Sequence, residues 1–150
     1  MKSIEFTVIE DTYIDPMPLL HQYQQQEEFP EKKYIYTHLK KKLDGYKAQD
    51  KRWEIYSEYH TIKMDELLNQ LIESNMKCHY CRKSMKIKYR NRDPLQWTLD
   101  RIQNEQGHNK MNVVISCLGC NLSRRNIHID KFLFTKQLII EKIDEIDEKI

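Results

Sequence analysis

Residues 78–125 read CHYCRKSMKIKYRNRDPLQWTLDRIQNEQGHNKMNVVISCLGCNLSRR, and this stretch decides the fold. It opens on one Cys-x-x-Cys pair, Cys78 with Cys81, and nears its end on another, Cys117 with Cys120; these are all four cysteines of the chain. Each pair forms a turn that presents two sulfurs to one tetrahedral ion, and two such turns complete a four-cysteine shell for structural Zn2+. A disulfide within either pair would be strained, and no export signal favours oxidation. A redox Cys-x-x-Cys would call for one pair in a βαβ setting, not two in a basic segment. A site with four thiolates has no open position, so it holds the fold and does no chemistry. His79, inside the first turn, reads as a neighbour of the ion rather than a ligand.

Between the pairs, Met85, Ile87 and Tyr89 alternate with Lys86, Lys88 and Arg90, the pattern of a strand with one basic face. Pro94 ends that run, and residues 97–102 and 112–116 read as two further strands around a loop that contains Gly107. The order of features resembles the zinc-bearing branch of the HNH endonucleases. The marks are a knuckle before the hairpin, LDRI closing a strand, GH in the loop, NVVISC, and CxxCN at a helix start. The likeness spans about residues 76–126, a third of the chain.

That resemblance implies a ββα-metal core, one divalent ion such as Mg2+ or Mn2+, and hydrolysis of phosphodiester bonds in DNA; the sequence itself does not separate DNA from RNA. Position by position it makes Asp100 the first carboxylate ligand and Asn121 the last ligand, while Asn112 braces the loop. The family's general base directly follows the aspartate as a histidine, and here Arg101 stands there. Arginine stays protonated and cannot accept a proton from water. His108 is then the candidate base and Arg101 a candidate phosphate clamp. Gln103 stands where relatives reading LDRIDN carry a second carboxylate. The alternative is a silent descendant, a zinc module that binds nucleic acid or serves as a subunit of a larger assembly.

The charge pattern supports a nucleic-acid partner. The net charge of the 150 residues is only +2, but residues 1–76 carry −4, residues 77–126 carry +8 and residues 127–150 carry −2. A basic island between acidic flanks is the footprint of a phosphate backbone. Lys86, Lys88 and Arg90 on the strand and Arg124 and Arg125 on the helix are its candidate contacts, with Arg82 and Lys83 from the first knuckle.

Outside the island, residues 1–76 read as a mainly helical region after a short initial strand on Ile4, Phe6 and Val8. Pro16, Pro18 and Pro30 punctuate a loop around a short helix. Trp53, Tyr56 and Tyr59 recur every three residues, which predicts one helix face, core-facing or able to stack on bases. Met64, Leu67, Leu68, Leu71 and Ile72 mark an amphipathic helix. In residues 127–150, Ile139, Ile143, Ile146 and Ile150 form a 4-3-4 seam behind Asp130 as a helix cap. Such a seam packs on its own body or on a second copy, and the intramolecular arrangement is the expectation.

With a mean hydropathy of −0.81 and no long apolar run, a membrane span is not expected. The N-terminus lacks the apolar stretch of a secretory signal, which points to an intracellular protein. Three glycines in the whole chain leave no room for a Gly-rich nucleotide loop. The fold class expected is α+β: an HNH-like ββα-metal module held by a four-cysteine zinc site, with flanking helices.

Overall fold

The computed structural model describes residues 14–148. Three helices lead: α1 (Pro16–Gln24), α2 (Lys32–Arg52) and α3 (Met64–Glu73). A β-hairpin follows, β1 (Trp97–Arg101) and β2 (Val113–Cys117), and then α4 (Leu118–Arg124) and α5 (Ile129–Glu148). The class is α+β, as the sequence implies. The proposed strand at Ile4, Phe6 and Val8 lies outside the described residues. Among the described residues no helix is long and apolar enough to cross a membrane.

Two of the leading helices start for evident local reasons. In α1, Asp15 accepts a hydrogen bond from the Met17 amide at 3.1 Å, and Pro16 occupies the first turn, where its missing N–H is harmless. In α3, Asp65 and Glu66 sit in the first turn and favour the positive end of the helix dipole. The buried face of α2 runs through Ile35, Leu39 and Asp50, and Leu67, Leu68 and Leu71 of α3 and Leu20 of α1 close the core with it. Trp97, Leu99, Val113 and Ile115 of the hairpin belong to that same core.

Helix α2 stops at Arg52, short of the expected aromatic stripe. Glu54 adopts φ 60°, a left-handed conformation that ends a helix, and its amide bonds the Lys51 carbonyl. Trp53, Tyr56 and Tyr59 therefore share no helix face. Trp53 is 66% exposed and Tyr59 89%, so neither is core. Tyr56 instead carries the ammonium groups of Lys51 at 4.9 Å and Lys47 at 5.9 Å over its ring.

The hairpin pairs in antiparallel register, with Trp97 opposite Cys117 and Asp100 opposite Val114. The run 85–90 does not form a continuous strand. Met85 and Ile87 are buried as alternation requires, but pairing is confined to single bridges, Lys77 with Ser84 and Lys86 with Gln96. The chain doubles back between Lys86 and Trp97, with the Lys86 amide bonded to the Leu95 carbonyl at 2.9 Å.

The hairpin is embedded in the N-terminal helices rather than standing apart from them. Tyr46 of α2 places its hydroxyl 3.0 Å from the Leu99 amide, which donates to it. Lys42 donates to the Trp97 carbonyl and lies over the Trp97 ring at 4.3 Å. His38 accepts the Trp97 indole N–H at 3.1 Å. Burial and the neighbouring Lys42 and Lys41 push His38 down to about 4, which keeps its imidazole neutral and able to accept.

Candidate functional site

The first knuckle is a tight hairpin. The Arg82 amide bonds the Cys78 carbonyl at 3.0 Å, the Cys78 amide bonds the Lys83 carbonyl at 3.0 Å, and Arg82 turns the chain at φ 62°. The second knuckle is the junction of β2 and α4, where Cys117 is the helix N-cap. Backbone amides reach sulfur in both, Tyr80 to Cys78 and Cys120 to Cys117, each at 3.4 Å. The His79 amide donates to the Ile115 carbonyl at 2.9 Å and stitches the two knuckles together.

The four sulfurs lie within 4.8 Å of one another, and Cys81 Sγ is 3.8 Å from Cys117 Sγ. A tetrahedron with metal–sulfur bonds of about 2.3 Å has edges of about 3.8 Å, so the donor set fits Zn2+. Hydrogen bonds from Cys117 and Cys120 pull the Cys78 thiol far below its ordinary range, while Cys120 is pushed up by the bonds it makes to Cys117 and Cys78. Four clustered sulfurs without a cation share negative charge poorly, and a dication relieves that repulsion. Structural metal binding by Cys78, Cys81, Cys117 and Cys120 is thus supported by geometry as well as spacing.

Asp100 closes β1 and is 5% exposed. The Tyr80 hydroxyl, from inside the first knuckle, donates to its Oδ2. Arg124 Nε lies 3.3 Å from the same oxygen, off the line of a hydrogen bond. Burial raises the Asp100 carboxyl above its ordinary range, against the opposing pull of the Tyr80 bond and of the Arg124 and Arg101 charges. Arg124 is 1% exposed, and its guanidinium forks onto the Arg101 carbonyl at 3.0 and 2.7 Å. As a contact for a phosphate backbone Arg124 is therefore corrected: its side chain is enclosed and ties α4 to the end of β1.

Asn121, one turn into α4, donates from Nδ2 to Thr98 Oγ1 at 3.0 Å and to the Leu99 carbonyl at 3.3 Å. The Leu99 carbonyl belongs to the peptide that enters Asp100, so Asn121 docks on β1 one residue before Asp100. Asn112 braces the hairpin loop. Its Oδ1 accepts from the Gln103 amide at 2.9 Å, and its Nδ2 donates to the carbonyls of Gln103 at 3.0 Å and Gly107 at 2.9 Å. Arg101 turns back along the loop and donates to the Asn104 carbonyl at 2.8 Å.

His108 is buried on the other side of that loop. Asp50 of α2 takes both its backbone N–H and its Nδ1, each at 2.7 Å, and Tyr46 stacks on the ring at 4.3 Å between centroids. Burial lowers the His108 pKa despite Asp50, so the neutral ring is favoured, with its proton on Nδ1 and its lone pair on Nε2. The cavity it lines, about 250 Å³, is walled by Tyr36, Tyr46, Lys47 and Lys63. Asp100 and Asn121 do not line it. The structure thus holds Asp100 between Tyr80 and Arg124, docks Asn121 on Thr98 and Leu99, sets Asn112 across the hairpin loop and turns His108 toward α2.

The remaining cations divide by exposure. Lys86 pairs with Asp93 at 2.9 Å, and Lys88 lies 5.0 Å above the Tyr34 ring. Arg90, Arg125, Arg82 and Lys83 are exposed.

Asp50, Tyr46 and Tyr80 carry the surroundings of these residues and were not legible as a site. Tyr46 and Asp50 did leave one signal: they are four apart and continue the spacing of Ile35 and Leu39, which puts a carboxylate on the buried face of α2.

No family model, curated protein or solved structure matches the chain.

Proposed function

We propose that this protein is an HNH-type, metal-dependent endonuclease that hydrolyses phosphodiester bonds in DNA. The observation that carries the reading is the hydrogen bond from Asn121 to the Leu99 carbonyl, the peptide oxygen that immediately precedes Asp100. The contacts to Asp100 fall on Oδ2, which leaves Oδ1 and the amide oxygen of Asn121 as donors for Mg2+ or Mn2+. Two oxygen donors with the remaining shell hydrated suit such an ion. When bound, it would supply charge stabilisation for the pentavalent phosphate and the leaving oxygen.

The chain's own residues supply the rest. Asn112 fixes the loop, Tyr80 holds the Asp100 carboxylate in one orientation, and the exposed Arg125, Arg82 and Lys83 are available to the backbone. His108 has the neutral ring a base needs, but it faces the cavity beside α2, which Asp100 and Asn121 do not line, so a role in activating water requires the hairpin loop to turn toward Asp100.

A second reading is favoured by one observation, the Arg124 guanidinium 3.3 Å from Asp100. An internal cation beside the single carboxylate suits a module that kept the zinc fold and basic surface for binding and lost turnover.

The test is nicking of supercoiled plasmid by zinc-loaded protein with Mg2+, Mn2+ or chelator. Metal-dependent nicking that falls at least about a hundredfold in Asp100→Ala is expected. No nicking with any of these ions, alongside salt-sensitive DNA binding, would overturn the nuclease and leave the binding module. His108→Ala run beside them reports whether that imidazole takes part.

A further inference from the structure

Helix α5 docks by its first turn only. Ile129 and Phe132 are buried, Phe132 edge-on to Tyr80 at 4.9 Å, and Leu133 packs partly against the core. From Phe134 through Ile146 no residue of the helix is buried. About 20 Å of helix, at 1.5 Å per residue, therefore runs on past the body.

The face that docks does not end where the docking ends. Phe132, Ile139 and Ile146 are spaced by seven and Ile143 lies between the last two; Lys136, between the first two, folds its ammonium over the Phe132 ring at 5.4 Å, so the apolar seam of the overhang runs from Ile139 to Ile146. Ile139, Ile143 and Ile146 are 49%, 53% and 57% exposed. The expectation that this seam packs on its own body is thereby overturned; Ile150 continues the spacing but lies outside the described residues. An unsupported helix of this length is marginal in water, and its stability comes from burying such a face.

The sequence flanking the stripe says what covers it. With Ile139 and Ile146 at d and Ile143 at a, the heptad register assigns Lys142 to g and Asp147 to e, the two positions that flank the seam. In a parallel pair the g edge of one helix faces the e edge of the other, so basic meets acidic on both sides of the seam. In an antiparallel pair g faces g, and lysine would meet lysine. The stripe is self-complementary in one orientation.

We propose that α5 is a self-association element, in which the Ile139–Ile143–Ile146 seam packs in parallel against the same seam of a second copy of this chain. The zinc modules are carried at the N-terminal ends of the paired helices and so lie on the same end of the assembly. This inference stands on α5 alone and does not depend on whether the module cuts DNA.

Sedimentation and light scattering of the zinc-loaded full chain test it. The expected mass rises with concentration above the 18.3 kDa of one chain, and Ile139→Glu with Ile143→Glu returns it to a single chain while the far-UV spectrum of the body persists. A single-chain mass at every soluble concentration would overturn the proposal. Orientation is read from charge reversal. Lys142→Glu makes both edges acidic, and Asp147→Lys makes both basic. Each variant should be a single chain by itself, and the two mixed should associate. Failure of the mixture to associate would overturn the parallel arrangement.

Discussion

Asp50 approaches the hairpin loop so closely that Gly107 has no room for a side chain. A Cβ there would lie 2.6 Å from Asp50 Oδ2 and 2.9 Å from the Ile55 carbonyl. Gly107→Ala must push Asp50 off His108 or shift backbone, and should destabilise by about 1–3 kcal/mol, read from the urea midpoint. Asp50→Ala removes both hydrogen bonds to His108 and leaves a buried amide without an acceptor, with a loss of similar size. His38 gives the pH behaviour. Its folded pKa of about 4 lies below the ordinary histidine value of 6.5, so the unfolded chain binds the proton first. The contribution of the neutral ring is complete above 6.5 and is lost as pH falls from 6.5 toward 4. The ring resonances of His38 in NMR should titrate near 4; titration near 6.5 would show that the imidazole is not enclosed as described. The spacing of Ile35, Leu39, Tyr46 and Asp50 puts a carboxylate on the buried face of α2, but its partner His108 lies 58 positions away and no local pattern names it.

At the scale of elements, what the sequence made plain was chemistry that repeats locally. The two Cys-x-x-Cys turns, the short strands β1 and β2 on either side of the Gly107 loop and the 3-4 spacing of α3 each need only neighbours a few positions away. The failures came where a period was present but its end was not. Trp53, Tyr56 and Tyr59 keep a helical interval, yet the chain leaves the helix at Arg52 through a left-handed Glu54 that no glycine announces. Residues 85–90 alternate like a strand but find a partner only at single bridges. Zinc removal should undo the element that the cysteines close. Chelation, or Cys78→Ser, is expected to abolish the 1:1 zinc content and the near-UV signal of buried Trp97 together. A near-UV spectrum unchanged by full chelation would refute the structural role. Asn112→Ala leaves the cysteines intact but strips three hydrogen bonds from the loop, and should cost about 2–3 kcal/mol with zinc content unchanged.

For the whole molecule the relevant quantity is the separation of charge. A segment of +8 lies between segments of −4 and −2, and two bound thiolate pairs neutralise only part of that excess. On the proposed reading as a DNA-cleaving or DNA-binding module, DNA affinity should fall steeply with salt, and the logarithmic slope should shrink by about one for each backbone-contacting cation removed. Arg125→Ala is expected to reduce the slope, whereas Arg124→Ala should act on stability, since that guanidinium is enclosed. An equal effect of both on the slope would mean that Arg124 leaves its pocket in the complex.

The seam between the leading helices and the hairpin has a consequence for how this protein can be cut or borrowed. Strand β1 has its Leu99 amide capped by Tyr46, its Trp97 carbonyl taken by Lys42 and its indole anchored by His38, while the loop rests on Asp50. The fifty residues that carry every recognisable motif are thus not a transplantable cassette. Expressed alone, residues 77–126 would expose the apolar side of Trp97 and Leu99 and strand the polar groups that α2 satisfies. The smallest portable unit begins with α1 and ends with the first turn of α5. Any duplication, fusion or chimera cut at the motif boundary instead of that one should expose the buried Trp97 and Leu99 and lose the bonds that α2 supplies.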